Sequence, residues 1–150
     1  GVSATKIRFS FGEVILTSKL IDGTFPDYER VIPSGNDKTL AVDAKALGSA
    51  VDRVATIATE KSRAVKLSIS GSTLTLSANS PENGSASEEV EVTYDGDDME
   101  IGFNSKYLLD ITGQIEGDGC QLLMADGASP TLIRDPSDTE AIYVLMPMRV

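Results

Sequence analysis

Two stretches decide the fold: Leu40-Ala41-Val42-Asp43-Ala44-Lys45-Ala46-Leu47 and, 61 residues further on, Ile101-Gly102-Phe103-Asn104-Ser105-Lys106-Tyr107-Leu108. In each, a short alternating run predicts a strand that meets an Asp or Asn, whose side-chain oxygen can cap the helix that follows. The first helix carries Leu47, Ala50, Val51, Val54 and Ile57 at helical spacing, and the second carries Leu108, Ile111, Thr112 and Ile115. Each therefore has one apolar and one wet face. After the first helix come alternating runs at Val65-Leu67-Ile69, Leu74-Leu76 and Val90-Val92-Tyr94; after the second come Cys120-Leu122-Met124, Leu132-Ile133 and Ile142-Val144-Met146-Met148. The whole element order recurs. It predicts an α+β fold: a duplicated strand-helix-three-strand unit, with two helices side by side packed on antiparallel sheets.

Upstream, Lys6 to Leu20 reads as a hairpin turning at Gly12-Glu13, and two strands alone are marginal in water. Asp22 to Tyr28 is dense in turn formers. Residues 1–25 are thus expected to be the last hairpin and connector of a truncated preceding domain, and residues 26–150 the domain proper. The chain opens Gly1-Val2-Ser3 rather than on methionine, as expected of a processed start or a fragment.

At 150 residues and 41% hydrophobic content there is material for one real core. Histidine is absent, cysteine occurs once and net charge is −10. These facts exclude Ser-His-Asp or Cys-His catalysis, His-ligated zinc, an internal disulfide and a thiolate cluster. Cys120, in an apolar run, reads as a small core hydrophobe. The acidity is concentrated: residues 82–100 carry −8, whereas residues 43–66 carry +2. A pI near 4.4 argues against tight nucleic-acid binding by this chain alone. No membrane span or signal peptide is expected, and the cysteine usage suits the cytoplasm.

The residues Thr17-Ser18-Lys19-Leu20-Ile21-Asp22-Gly23-Thr24-Phe25-Pro26-Asp27-Tyr28, the continuation Arg30-Val31-Ile32-Pro33, the stretch Met99 to Asn104 and the ending Tyr143-Val144-Leu145-Met146-Pro147-Met148-Arg149-Val150 point to a family. They resemble the bacterial DNA polymerase III beta subunits, the sliding clamps, over nearly the whole chain. The resemblance implies a non-enzymatic replication processivity factor without a cofactor, represented by its third domain. Two protomers of such a clamp close head to tail into a homodimeric ring around duplex DNA, helices inward, and tether the polymerase to its template. The third domain carries most of a pocket for short linear motifs, typically Gln followed by Leu and Phe, from polymerases, the clamp loader and repair proteins.

By position, the resemblance implies a peptide pocket built from Pro26, Arg30, Val31, Asn104, Tyr107, Val144, Leu145, Met146, Pro147, Met148 and Arg149. Two methionines two residues apart on a terminal strand would share a face, and their unbranched thioethers suit varied apolar guests. Composition alone favours reading Met146 and Met148 as core residues. Pro130 departs from the small hydroxyl residue of some relatives at the pocket rim, and the rest of the pocket belongs to the absent domain. Lys45, Arg53, Lys61 and Arg63 would face the DNA, and Ile57, Glu88, Glu89 and Glu91 would lie at the ring interface. Without the resemblance, these are ordinary surface charges and a charged edge strand.

Two further readings compete. A small metal-dependent hydrolase would use Asp95-Gly96-Asp97-Asp98-Met99-Glu100, although EF-hand spacing is not met and a solvated acidic turn explains the run. A generic β-rich binding module would leave the orphan hairpin unexplained. The glycine-rich stretch Gly113 to Gly119 lacks the Lys-Ser/Thr of a phosphate loop and reads as a helix end. A fragment of this kind is expected to be a monomer.

Overall fold

The computed structural model describes residues 1–58, 63–138 and 140–150. A hairpin of β1 (Lys6–Phe11) and β2 (Val14–Lys19) comes first. Its turn places Gly12 at φ +54, a conformation open to glycine at little cost. Ile7, Phe9 and Phe11 share one face with Val14 and Leu16, and Phe11 is 88% exposed. Among the described residues no other sheet pairs with it. The connector then runs without regular structure into a single 3-10 turn at Tyr28–Arg30.

The first repeat consists of β3 (Lys38–Asp43), α1 (Ala44–Ala55), β4 (Ala64–Ser70), β5 (Thr73–Ser80), β6 (Gly84–Glu91) and the short β7 (Thr93–Asp95). The second consists of β8 (Met99–Asn104), α2 (Ser105–Thr112), β9 (Gly119–Met124), β10 (Thr131–Arg134) and β11 (Ile142–Leu145). Both helices start as the sequence predicts. The Asp43 carboxylate accepts from the Ala46 amide at 2.7 Å, and the Asn104 side-chain carbonyl from the Lys106 amide at 3.0 Å. Such caps satisfy amides that the helix itself cannot. The apolar faces bury Leu47, Ala50, Val51 and Val54 in α1, and Leu108 and Ile111 in α2. Ile57 and Ile115, counted on the helices by periodicity, lie beyond their last turns and are half-buried. The helices touch where Gly48 meets Thr112: a β-carbon there would stand 3.1 Å from the threonine hydroxyl.

All strand pairs are antiparallel, and the repeats exchange their first strands. β3 leaves its own β4 and lies between β9 and β7 in a five-stranded sheet ordered β11-β10-β9-β3-β7. β8 returns the exchange by pairing with β4 in the four-stranded sheet β6-β5-β4-β8. Each sheet turns one face inward: along β4, Val65, Leu67 and Ile69 are buried, while Lys66, Ser68 and Ser70 face outward. The core joins Leu40, Leu67, Leu76, Phe103 and Leu122, all fully buried, to the two helices. Full burial of each such side chain is worth about 1.5–3 kcal/mol.

Two sequence expectations fail in the third strands. The run Val90-Val92-Tyr94 is divided between sheets, because Val90 pairs with Leu74 in β5 and Tyr94 with Leu40 in β3. Val92, buried between them, is the corner. The strand also begins at Gly84, since β6 is an edge strand whose inward residues Ala86, Glu88 and Val90 cover α1 with little apolar bulk. In the second repeat β11 stops at Leu145, short of the methionines. Among the described residues, no helix is long and apolar enough to cross a membrane.

Candidate functional site

An open cavity of about 520 Å3 lies between α2 and β11. α2 supplies Tyr107, Asp110 and Ile111, and residues 142–146 supply the facing wall. Asn104 fixes the start of the helix, so Tyr107 emerges one turn later, 53% exposed. β11 is held against β10 through Leu132↔Val144 and Thr131↔Leu145. Leu145 is buried and closes the cavity from the core side, while Met146 stands 59% exposed at its mouth. The lining is apolar apart from two phenols and one carboxylate, suited to taking up side chains rather than performing chemistry.

The chain changes direction at Pro147. Proline has no N–H to continue a ladder, and the strand ends before it. The Met148 amide instead donates to the Gly102 carbonyl on β8 at 2.9 Å. Gly102 is required there, because a β-carbon would lie 2.6 Å from the Met148 carbonyl oxygen and against the Val150 methyls. Pro147, Met148 and Arg149 line a second depression of about 500 Å3 with Glu100, Gly102 and Gly127. The expectation that Met146 and Met148 share one strand face is therefore corrected. The proline sends them into two adjoining hollows. Met146 is not a core residue, and Met148 is half-buried.

Of the other expected pocket residues, Asn104 acts as the helix cap. Pro26, Arg30 and Val31 sit exposed in and after the connector, where Arg30 pairs with Asp27 at 3.0 Å, and they line neither hollow. Pro130 also lies outside both; its carbonyl and that of Leu123 accept from the Asn36 amide group at 2.9 and 2.8 Å. Sequence reasoning missed Asp110, Ile111, Ile142 and Tyr143. The first two stand three and four residues after Tyr107, so helical periodicity applied to that residue would have found them.

The expected DNA-facing and interface residues prove to be entangled. Arg53 holds the Glu88 carboxylate in a two-point hydrogen bond, with one arm of 2.9 Å from the guanidinium Nε. That bond holds the Glu88 carboxyl below its ordinary range and raises the Arg53 pKa. Lys45 approaches Asp118 at 3.9 Å. Arg63, at φ +43, lines a cleft of about 390 Å3 between the helices with Asp52, Lys106 and Asp110. Lys61 lies outside the described residues. Ile57 is half-buried and its carbonyl accepts from the Asn83 side chain at 3.4 Å, while Glu89 and Glu91 lie on the wet face of β6.

The acidic run is a turn between β7 and β8. Asp98 accepts from Ser70 at 3.0 Å, and Glu100 from Lys66 and Ser68 at 3.0 and 3.1 Å. Among the described residues no cluster of three or more Asp, Glu or Cys side chains could hold a metal ion. Gly113 closes α2 at φ −70, without the left-handed geometry its glycine would permit. Cys120 is buried, and burial pushes its thiol pKa up to about 12.

Residues 29–149 match the family model described as DNA polymerase III beta subunit, C-terminal domain. The chain is 56% identical over 149 residues to the beta sliding clamp of Caulobacter vibrioides, covering 99% of this chain and 40% of that protein. It is 41% identical to the Escherichia coli K12 clamp, again over 99% of this chain and 41% of the relative. Among solved structures, the DNA polymerase III subunit beta sliding clamp of Bartonella birtlesii, bound to griselimycin, superposes with a TM-score of 0.95 at 54% identity, covering 99% of this chain and 40% of that one. The chain thus spans about two fifths of the length of these relatives. With its fold, its repeats and its sequence in agreement, the chain belongs to the DNA polymerase III beta subunit family, and its residues 29–149 correspond to that family's C-terminal domain.

Proposed function

We propose that the chain serves as the C-terminal domain of a ring-shaped, non-catalytic processivity clamp that tethers a DNA polymerase to duplex DNA in the bacterial cytoplasm. Its part is to present the cavity between α2 and β11 to short apolar motifs of polymerases, the clamp loader and repair proteins. One observation carries this reading: in a member of the clamp family, an apolar cavity opens beside an exposed methionine on a proline-broken strand end. Pro147, Met148 and Arg149 then extend the motif site, and the connector residues Pro26, Arg30 and Val31, which line neither hollow, join it only on the family resemblance. Residues 1–25 belong to a preceding domain, whose sheet would cover the exposed face of β1 and β2. Lys45 and Arg63 would touch phosphates lightly; Arg53 is engaged by Glu88. Ile57, Glu89 and Glu91 lie where a head-to-tail partner would dock. The metal-hydrolase reading finds no support, because Asp98 and Glu100 of its acidic run are engaged by Ser70, Ser68 and Lys66.

Calorimetric titration of a Gln-Leu-Phe type peptide tests the motif site. The 150-residue chain is expected to bind at micromolar strength or weaker, because a partial pocket buries less apolar area while the ordering cost remains. Met146→Asp, whose exposed position leaves the core intact, is expected to abolish the heat. Equal heats for the two proteins would refute the assignment.

A further inference from the structure

Within that cavity Asp110 stands apart. It is the one charged side chain in the lining, facing Tyr107 and Ile111 from its own helix and apolar or phenolic residues from β11. Several carboxylates of the domain are engaged, Glu88 by Arg53, Glu100 by Lys66, Asp126 and Asp135 by turn amides and serines, while those without a partner among the described residues, such as Glu89 and Asp95, lie on exposed strand faces outside this cavity. Among the described residues, Asp110 accepts no hydrogen bond and has no cation within 4 Å. Lys106, one turn earlier on the same helix, forms no ion pair with it, and Arg63 lines only the cleft on its other side.

Its place on the helix adds a second argument. Asp110 occupies the last turn of α2, which contains no basic residue. A carboxylate there adds to the negative end of the helix dipole, where a cation is preferred. α1 shows the ordinary arrangement, with Arg53 in its last turn. The rim of the cavity thus combines a carboxylate that has no ion-pair partner among the described residues with a helix C-terminus whose last turn carries no basic side chain, its Leu109 and Ile111 carbonyls accepting from the Gly113 and Gln114 amides.

We infer that Asp110 is a specificity-determining residue of this cavity, selecting apolar peptide motifs that carry a lysine or arginine beside their apolar anchors. The inference rests on the cavity being a motif site. Docking of the anchors displaces water from beside Asp110, so a cation held there gains from both the carboxylate and the helix end. The same geometry disfavours motifs with an acidic residue in that position.

The test uses a capped Gln-Leu-Phe type peptide with serine at every spacer and flanking position, and variants replacing each serine in turn by Lys or by Glu. Affinities are measured at low and high salt for the wild type, for Asp110→Asn, and for Glu13→Gln, which makes the same charge change on the distant hairpin turn. At low salt at least one lysine peptide is expected to bind the wild type roughly two- to fivefold more tightly than the serine peptide, the range of an exposed ion pair. The preference is expected to vanish in Asp110→Asn, to persist in Glu13→Gln and to shrink with added salt. If no lysine peptide is preferred, or if the preference survives Asp110→Asn, Asp110 has no such role while binding of the serine peptide still upholds the cavity. If the serine peptide does not bind the wild type, the motif site itself is refuted.

Discussion

Ala41 of β3 is paired with Thr93, and the equivalent Gly102 of β8 with Met148, yet the segments lying alongside these two residues differ. In the first repeat the chain turns at buried Val92, whose amide donates to the Ser72 carbonyl at 2.9 Å, and then forms three consecutive pairs with β3. In the second, the residue in the place of Val92 is Pro147, which has no amide to donate, and a single bridge follows. One position earlier, the first repeat carries the solvated Glu91, and the second carries the exposed Met146. A hollow opens at the corner in both copies, about 620 Å3 beside Ala41, Glu91 and Val92 and about 520 Å3 beside Tyr107 and Met146, but carboxylates edge the first and an exposed methionine the second. The difference teaches that the side chains and the broken ladder at the corner, with no added element, distinguish the candidate site from its counterpart.

Gly102→Ala should give the largest effect that bears on this comparison. The new β-carbon would meet the Met148 carbonyl at 2.6 Å, so the terminal segment must move, and overpacking of this kind costs about 1–3 kcal/mol. Ala41→Gly, the reverse change in the first repeat, should cost about 0.5–1 kcal/mol through strand entropy alone. Urea denaturation of both variants measures the pair, and equal costs would break the comparison. The helix caps sharpen it further. Asp43→Ala and Asn104→Ala should each lose about 1 kcal/mol, but only Asn104→Ala should also weaken peptide binding, because its helix carries Tyr107 and Asp110. Comparable peptide affinities for the two variants would separate the cavity from α2.

The smallest expected effect concerns the Arg53–Glu88 ion pair of the first repeat's helix. Glu88 is held below its ordinary value of 4.5 chiefly by its hydrogen bond from Arg53. A depressed carboxylate contributes stability that is present above its unfolded pKa and is lost as pH falls through the folded one. Melting temperatures of the wild type and Glu88→Gln should therefore differ slightly at pH 7 and converge as the pH is lowered below 4.5. A gap that stays constant down to pH 3 would show that the pair does not act through ionisation.

Much of the fold was legible in residues 40–47 and 101–108, because a strand period, a capping side chain and a helix period stand in a row in each. Those signals are local. Alternation tells which residues of β3 face inward, but not that the strand beside it is β9 rather than β4, so the exchange between repeats could not be read. The split at Val92 was hidden for the same reason: alternation continues through the corner although the partner changes. In the site, Pro147 was visible, yet its consequence for Met146 and Met148 depended on Gly102, more than forty positions away in the chain. Asp110 drew no attention because a single acidic residue on a helix carries no signal until the opposite wall is in place.

The exchange of first strands also bears on how the chain acquires its structure. β3 ends beside Gly119 and begins beside Met124, so its neighbour on that side does not exist when β3 leaves the ribosome. Until residues 119–124 have been synthesised, one edge of β3 has no lasting partner, and contacts this distant in sequence are slow to close. Neither repeat can complete its sheet alone. A chain cut between β7 and β8 would leave two halves, each missing the strand that the other holds, and their recovery would depend on concentration as an association does.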